Sequence, residues 1–172
     1  MNAPRLNIDL STISHNARVL VDLLAPSGIQ VAGISKAVCG SPDVAAAMLR
    51  GGAARIGDSR VENVTRLRVA GITAPLTLIR SPMQSQVQQT VLHASTSMNT
   101  EARVLDALSA AAVQLGVAHG VILMVELGDL REGIAADDVV AAAQAVARSP
   151  GLTLEGIGTN LACHSGVVPD QR

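Results

Sequence analysis

The stretch "IQVAGISKAVCGSPDVAAAMLRGGAARIGD", residues 29–58, decides the fold. It opens on an apolar run, 29–34, in which Ile29, Val31 and Ile34 are β-branched. A short apolar run bounded by turn residues reads as a buried strand. Ser41-Pro42-Asp43 then has the order of a helix start: a capping hydroxyl, a proline in the first turn, and an acid on the positive end of the helix dipole. The alanine-rich run that follows stops at Gly51-Gly52, and 54–57 reads as a second strand. A strand, a helix and a strand in this compass make a right-handed crossover between parallel strands.

The alternation continues in both directions. Upstream, 6–8 is a short strand candidate, and Asp9 or Ser11 caps a helix over 12–25 that ends before Pro26 and Gly28. Downstream, Ser59-Arg60-Val61-Glu62 has the spacing of a capping box and opens a helix to 69. Strand 76–79, a short helix from Pro82 to 92, and a brief strand 94–98 follow. Asn99 or Thr100 then caps a long helix to 115, closed by Gly116. Strand 120–127, a helix over 137–148 stopped by Pro150-Gly151, and strand 153–158 complete the pattern. Six strands beyond the 6–8 segment alternate with helices, which is the α/β class with a parallel sheet, either a barrel or doubly wound. No glycine-rich dinucleotide fingerprint follows the first strand, which disfavours the doubly wound reading. A closed barrel takes eight strands and roughly 200 residues or more. The expectation for residues 1–172 is therefore one domain, an incomplete TIM-like barrel of six strands.

Composition excludes several functions. The net charge of -1 leaves no basic footprint for nucleic acid or an anionic membrane surface. No apolar run approaches the ~20 residues that span a bilayer, and the first ten residues lack the apolar core of a signal peptide. The reading is a cytoplasmic globular protein. Cys39 and Cys163 form no metal or redox spacing, and Cys163-His164, as adjacent ligands, make no zinc site, so no metal is expected. Phe, Tyr and Trp are absent altogether. Leu, Val, Ile, Ala and Met must build the whole core, and no tyrosine can serve as acid or base.

In a parallel barrel the chemistry sits at the carboxyl ends of the strands. The residues there are Ser35-Lys36, Asp58-Ser59-Arg60, Arg80-Ser81, Asn99, Asp129 with Arg131 and Glu132, and Thr159-Asn160. Polar loops would supply most of these in any case. Lys36 stands apart because it is the only lysine; the other twelve of the thirteen basic residues are arginines. Two readings of it are open. A lysine desolvated at the end of a buried strand has a lowered pKa, and its neutral amine attacks carbonyls to form Schiff bases. Alternatively, its stem lies on apolar surface and its ammonium stays in water. Cys39 likewise reads either as a thiol activated before a helix N-terminus or as a small filler. His15, His93 and His119 read as structural. His164 carries a side chain suited to acid–base work.

Three segments carry a resemblance. "GISKAVCGSPDVAAAMLRGGAARIGDSRVENVTRLRVAGI" (33–72), "ILMVELGDLREGI" (122–134) and "LEGIGTNLAC" (154–163) resemble, in order and spacing, the amino-terminal part of the alanine racemase family, in the branch of ornithine and similar amino-acid racemases. The resemblance runs over residues 4–170. It implies a pyridoxal-phosphate-binding TIM-like barrel followed by a β-domain, in a homodimer. It implies that Lys36 holds pyridoxal 5'-phosphate as an internal aldimine and serves as one of two proton-transfer bases. It places Arg131 near the cofactor ring or the substrate, and Thr159 and Asn160 beside the cofactor. The implied activity is racemisation of a basic or small amino acid. The chain departs from the family pattern in length. The remaining barrel strands, with the main phosphate-binding groups, and the β-domain with its tyrosine base are expected to be missing, which marks a C-terminally truncated member. Two rivals follow from that shortness: a non-catalytic pyridoxal-phosphate-binding homeostasis protein, or a split-gene fragment that works with a complementing chain.

Overall fold

A computed structural model describes residues 5–128 and 130–161. Asp129, Cys163 and His164, singled out above, lie outside the described residues. Six helices and six strands alternate: α1 Leu10–Leu24, β1 Ala32–Ile34, α2 Pro42–Arg50, β2 Arg55–Asp58, α3 Val61–Val69, β3 Leu76–Leu78, α4 Val87–His93, β4 Thr96–Asn99, α5 Ala102–Leu115, β5 His119–Val125, α6 Val139–Arg148 and β6 Leu152–Thr159. The strands form one parallel sheet in the order β1-β2-β3-β4-β5-β6. Strands paired in chain order, with a helix after each of β1 to β5, are the arc of a TIM-like barrel, as the sequence led us to expect. Among the described residues β1 pairs only with β2, and β6 only with β5.

Side-chain alternation gives the sheet two faces. Ile56, Leu76 and Leu78 lie in one buried cluster with Ala45 of α2 and Val64 and Leu67 of α3. Val121 and Leu123 lie in another with Leu105 of α5 and Val146 of α6. This helix-covered layer is the core, and with no aromatic side chain to fill it, branched aliphatics do the packing. Each fully buried one contributes about 1.5–3 kcal/mol. The positions between them turn the other way: Ile34, Arg55, Ile79, Met98, Ile122 and Glu155 line a cleft of about 400 Å³ on the inner face. Arg55 and Glu155 meet there at 3.3 Å, joining β2 to β6. Glu155 also accepts from Thr96 Oγ1 at 2.9 Å, and Arg55 donates to Thr77 at 3.3 Å. A Cβ at position 120 would collide with the Glu155 carboxylate, so glycine on β5 makes room for the pair. Glu155 sits at a register shift of β6 against β5, between the pairs Val121↔Leu154 and Ile122↔Gly156. A bulge of this kind re-aims a side chain.

Four sequence expectations need correction. Residues 6–8 form no strand; they are exposed, with Leu6 84% accessible, and join no ladder among the described residues. The Ser59–Glu62 capping box does not form. Arg60 occupies the N-cap of α3 without a side-chain bond, Glu62 instead accepts from Gln86, and Asp58 from the strand end takes the Arg60 amide. Neither Asn99 nor Thr100 caps α5: Glu101 holds the N-cap, while Asn99 is buried against Ser97. The helix after Pro82 starts late, with a 3-10 turn at Gln84–Gln86 before α4. The choice at the first helix resolves to Asp9, whose carboxylate accepts from the Ser11 and Thr12 amides. These bonds lower its pKa to about 2, the Ser11 hydroxyl contributing most.

Candidate active site

In the larger, inner-face cleft the Glu155 carboxylate and the Thr77 hydroxyl are both tied to Arg55, and no lysine, cysteine or histidine is in its lining. The chemistry-bearing residues gather at the carboxyl ends of the strands. There a cleft of about 380 Å³ is lined by Lys36, Ser59, Ile79, Arg80, Arg131 and Glu132. These residues come from the ends of β1, β2 and β3 and from the segment after β5. A neighbouring cleft of about 340 Å³ shares Ser59 and Arg80 and adds Arg60, Glu62, Ser81 and Gln86. Among the described residues, no carboxylate lies within ion-pair distance of Lys36, Arg60, Arg80 or Arg131; the one ion pair, Arg55–Glu155, is in the inner-face cleft. Among the described residues, the linings of these two clefts hold four cations and two carboxylates, in a chain that is nearly neutral. Such an arrangement attracts a small anion.

Lys36 opens a 3-10 turn, Lys36–Val38, one residue past β1. Its side chain is exposed, so the burial invoked by one sequence reading is not supplied by the described residues. The turn itself is tightly built. Val38 N and Gly40 N both donate to Ser35 O, each at 3.1 Å, and Cys39 N donates to Lys36 O. Cys39 is exposed and adopts φ 52, and its carbonyl accepts from Arg66 of α3.

Thr159 and Asn160 end β6 on the same rim. The Thr159 hydroxyl donates to Val125 O at 3.0 Å, tying the ends of β5 and β6 together. The Asn160 amide nitrogen is buried with no hydrogen-bond partner among the described residues. A buried donor without a partner is costly and is ordinarily matched by a ligand or another polar group. Asn99, on the strand-end roster, is buried under the helices and does not join the cleft. Asp58 does not face it either; it is 1% exposed and bonded to Ser35, Arg60 and Asn63, an arrangement that the sequence reading missed. The available signal was an aspartate two residues ahead of a backbone N–H at a helix start, where Asx turns occur. Among the described residues no group of three or more His, Cys, Asp or Glu is placed to hold a metal ion. No described helix is long and apolar enough to cross a membrane.

These features define a class of protein: a (β/α) barrel arc that offers one amine and several guanidinium groups at the strand ends. The family model of the alanine racemase N-terminal domain matches residues 8–171, and the chain belongs to that family. It is 34% identical over 166 residues to a lysine racemase of Thermotoga maritima, covering 96% of this chain and 46% of that protein. It is 33% identical over 167 residues to an ornithine racemase of Acetoanaerobium sticklandii, covering 96% and 47%. The chain thus spans just under half the length of the curated relatives it matches. Two solved structures share its fold. An alanine racemase from Streptomyces lavendulae superposes with a TM-score of 0.79 at 24% identity, over 91% of this chain and 42% of that one. A D-threonine aldolase from Filomicrobium marinum superposes with 0.82 at 22% identity, over 91% and 43%. One fold under two reaction names shows that the barrel does not choose the chemistry.

Proposed function

We propose that the chain is the lysine-bearing part of a pyridoxal-phosphate-dependent amino-acid racemase whose substrate is a basic amino acid. The observation that carries the reading is the only lysine of the chain, exposed on the strand-end cleft beside Arg80 and Arg131. The relatives named as lysine and ornithine racemases support the substrate class.

The residues fit the cofactor. Lys36 is its attachment point. Ile79 offers an apolar wall for a ring, and the cationic rim suits an anionic group. Asn160, whose buried amide nitrogen has no partner among the described residues, would hold a polar edge of the group, with Thr159 next to it. Bound pyridoxal phosphate supplies the electron sink that weakens the substrate's Cα–H bond. The chain's own groups do the rest. The Arg131 guanidinium orients the substrate carboxylate, a task for which its planar fork is suited. Lys36 Nζ takes or returns the α-proton on one face. Racemisation needs a second proton-transferring group on the opposite face, and within this chain that group is not a tyrosine, since none is present. The reading carries with it a homodimeric working unit.

The test is a visible absorbance scan with added pyridoxal phosphate, then borohydride reduction and peptide mapping. The chain has no aromatic residue, so the near-ultraviolet background is clean, and only Lys36 and the N-terminal amine can take the label. A new visible band, with label on Lys36 and none in Lys36→Ala, is expected, and lysine, ornithine and alanine are then assayed for loss of optical activity. Label on Lys36 no greater than in the urea-unfolded chain would refute the reading.

A further inference from the structure

The buried carboxylate of Asp58 has no part in the cleft, yet it sits between the two turns that supply the cleft's amine and hydroxyl. Its Oδ2 accepts from Ser35 Oγ at 2.7 Å, and Ser35, 0% exposed, is the residue before Lys36. Its Oδ1 accepts from the Arg60 amide at 3.0 Å, next to Ser59, and from Asn63 Nδ2 of α3 at 3.0 Å. Among the described residues no cation lies within ion-pair distance of it. A buried charge held only by neutral donors is expensive, and all its bonds must be made. The backbone repeats the tie: Ser35 N donates to Gly57 O at 2.9 Å. The helix closes the far side of the turn, because Arg66 holds Cys39 O and Gly40 lies flush on Asn63. A Cβ at position 40 would stand 2.7 Å from Asn63 Cβ, and φ there is +64. The turn from 35 to 40 is thus pinned at both ends to β2 and α3.

We propose that Asp58 is a positioning residue: through Ser35 and the Arg60 amide it fixes the turn bearing Lys36 against the turn bearing Ser59, and so sets where the Lys36 amine is presented. This rests on the reading of Lys36 as the cofactor's attachment point. A site held loosely by its supporting residues loses its geometry before it loses its fold.

The experiment compares wild type, Ser35→Ala, Asn63→Ala and Asp58→Asn by three measurements: far-ultraviolet circular dichroism, amide hydrogen exchange, and borohydride-trapped pyridoxal phosphate on Lys36 relative to the N-terminal amine of the same molecule. Ser35→Ala is expected to keep the native spectrum. Its amides over 36–41 should exchange at least tenfold faster while those of β3 and β5 do not change, and its Lys36 label should fall at least fivefold. Asn63→Ala should do the same with smaller amplitude, and it decides the matter if Ser35→Ala does not fold. Asp58→Asn, whose oxygen still accepts from the Arg60 amide and whose amide still meets Ser35 Oγ, should retain more than half of the wild-type label. Faster exchange throughout the sheet, unchanged exchange over 36–41, or unchanged Lys36 label in a folded variant would each overturn the proposal. Absence of Lys36 label in wild type would sink the proposed function instead, and the exchange measurement would still decide whether Asp58 holds the turn.

Discussion

Acid should weaken this fold through one buried histidine. His119 opens β5 and is 0% exposed. The Asn99 amide donates to Ser97 O and to Ser97 Oγ, and the Ser97 hydroxyl, free to donate its own proton, lies 2.8 Å from His119 Nε2. In that arrangement Nε2 accepts and the imidazole is neutral, the form that burial favours. Burial drives the pKa of His119 from 6.5 down to about 4, and the Ala94 carbonyl and the Glu155 charge oppose this only in part. Between these two values the unfolded chain binds a proton that the folded chain does not. The contribution of His119 is therefore complete above pH 6.5 and is lost as pH falls towards 4. The full depression corresponds to about 3 kcal/mol, and lowering the pH from 7.5 to 5 should remove about 2 kcal/mol of it. The assay is urea unfolding followed by far-ultraviolet circular dichroism, because a chain without Trp or Tyr gives no useful intrinsic fluorescence. His119→Gln should be less stable at pH 7.5 and should lose most of the slope between pH 7.5 and 5, while its three remaining histidines report what the others contribute. A flat wild-type profile over that range, or a His119→Gln slope equal to the wild type's, would refute the reasoning.

Two further outcomes concern the packing. Leu67 is 0% exposed between α3 and the sheet, in the cluster of Ile56, Leu76 and Leu78, so Leu67→Ala should cost about 3 kcal/mol in the same urea assay. The Arg55–Glu155 pair, whose side chains are 31% and 33% exposed, should show a coupling of only about 0.5–1 kcal/mol in a double-mutant cycle, falling with added salt.

The strand–helix alternation was legible because apolar period and punctuation agree in it. Pro42, Gly51-Gly52, Gly116 and Pro150-Gly151 each stand at a helix boundary that the structure shows. Boundaries failed where a side chain had two uses. Ser59 and Glu62 have capping-box spacing, but Asp58 takes the Arg60 amide, the helix begins one residue later with Arg60 at the N-cap, and Glu62 bonds Gln86. Asn99 is a good cap by type, yet its neighbours in β4 and β5 made it part of a buried chain with Ser97 and His119. Residues 6–8 have strand composition, yet they stay exposed and bury nothing that would hold a strand.

The sequence by itself determined the elements, their parallel order, and the rim that carries Lys36, Arg80 and Arg131, because those follow from periodicity and from the rule that strand ends face the site. Only the tertiary structure decided which polar residues point into the cleft and which support it from behind. Ser35 and Lys36 are adjacent in sequence, and one is buried while the other is exposed. Asp58 and Ser59 are adjacent as well, and only Ser59 lines the cleft. Neighbouring residues at a strand end point in opposite directions, and what each meets is set by elements 20 to 100 residues away in the chain, as Ser35–Asp58 and Arg55–Glu155 are. Local sequence carries no record of those encounters.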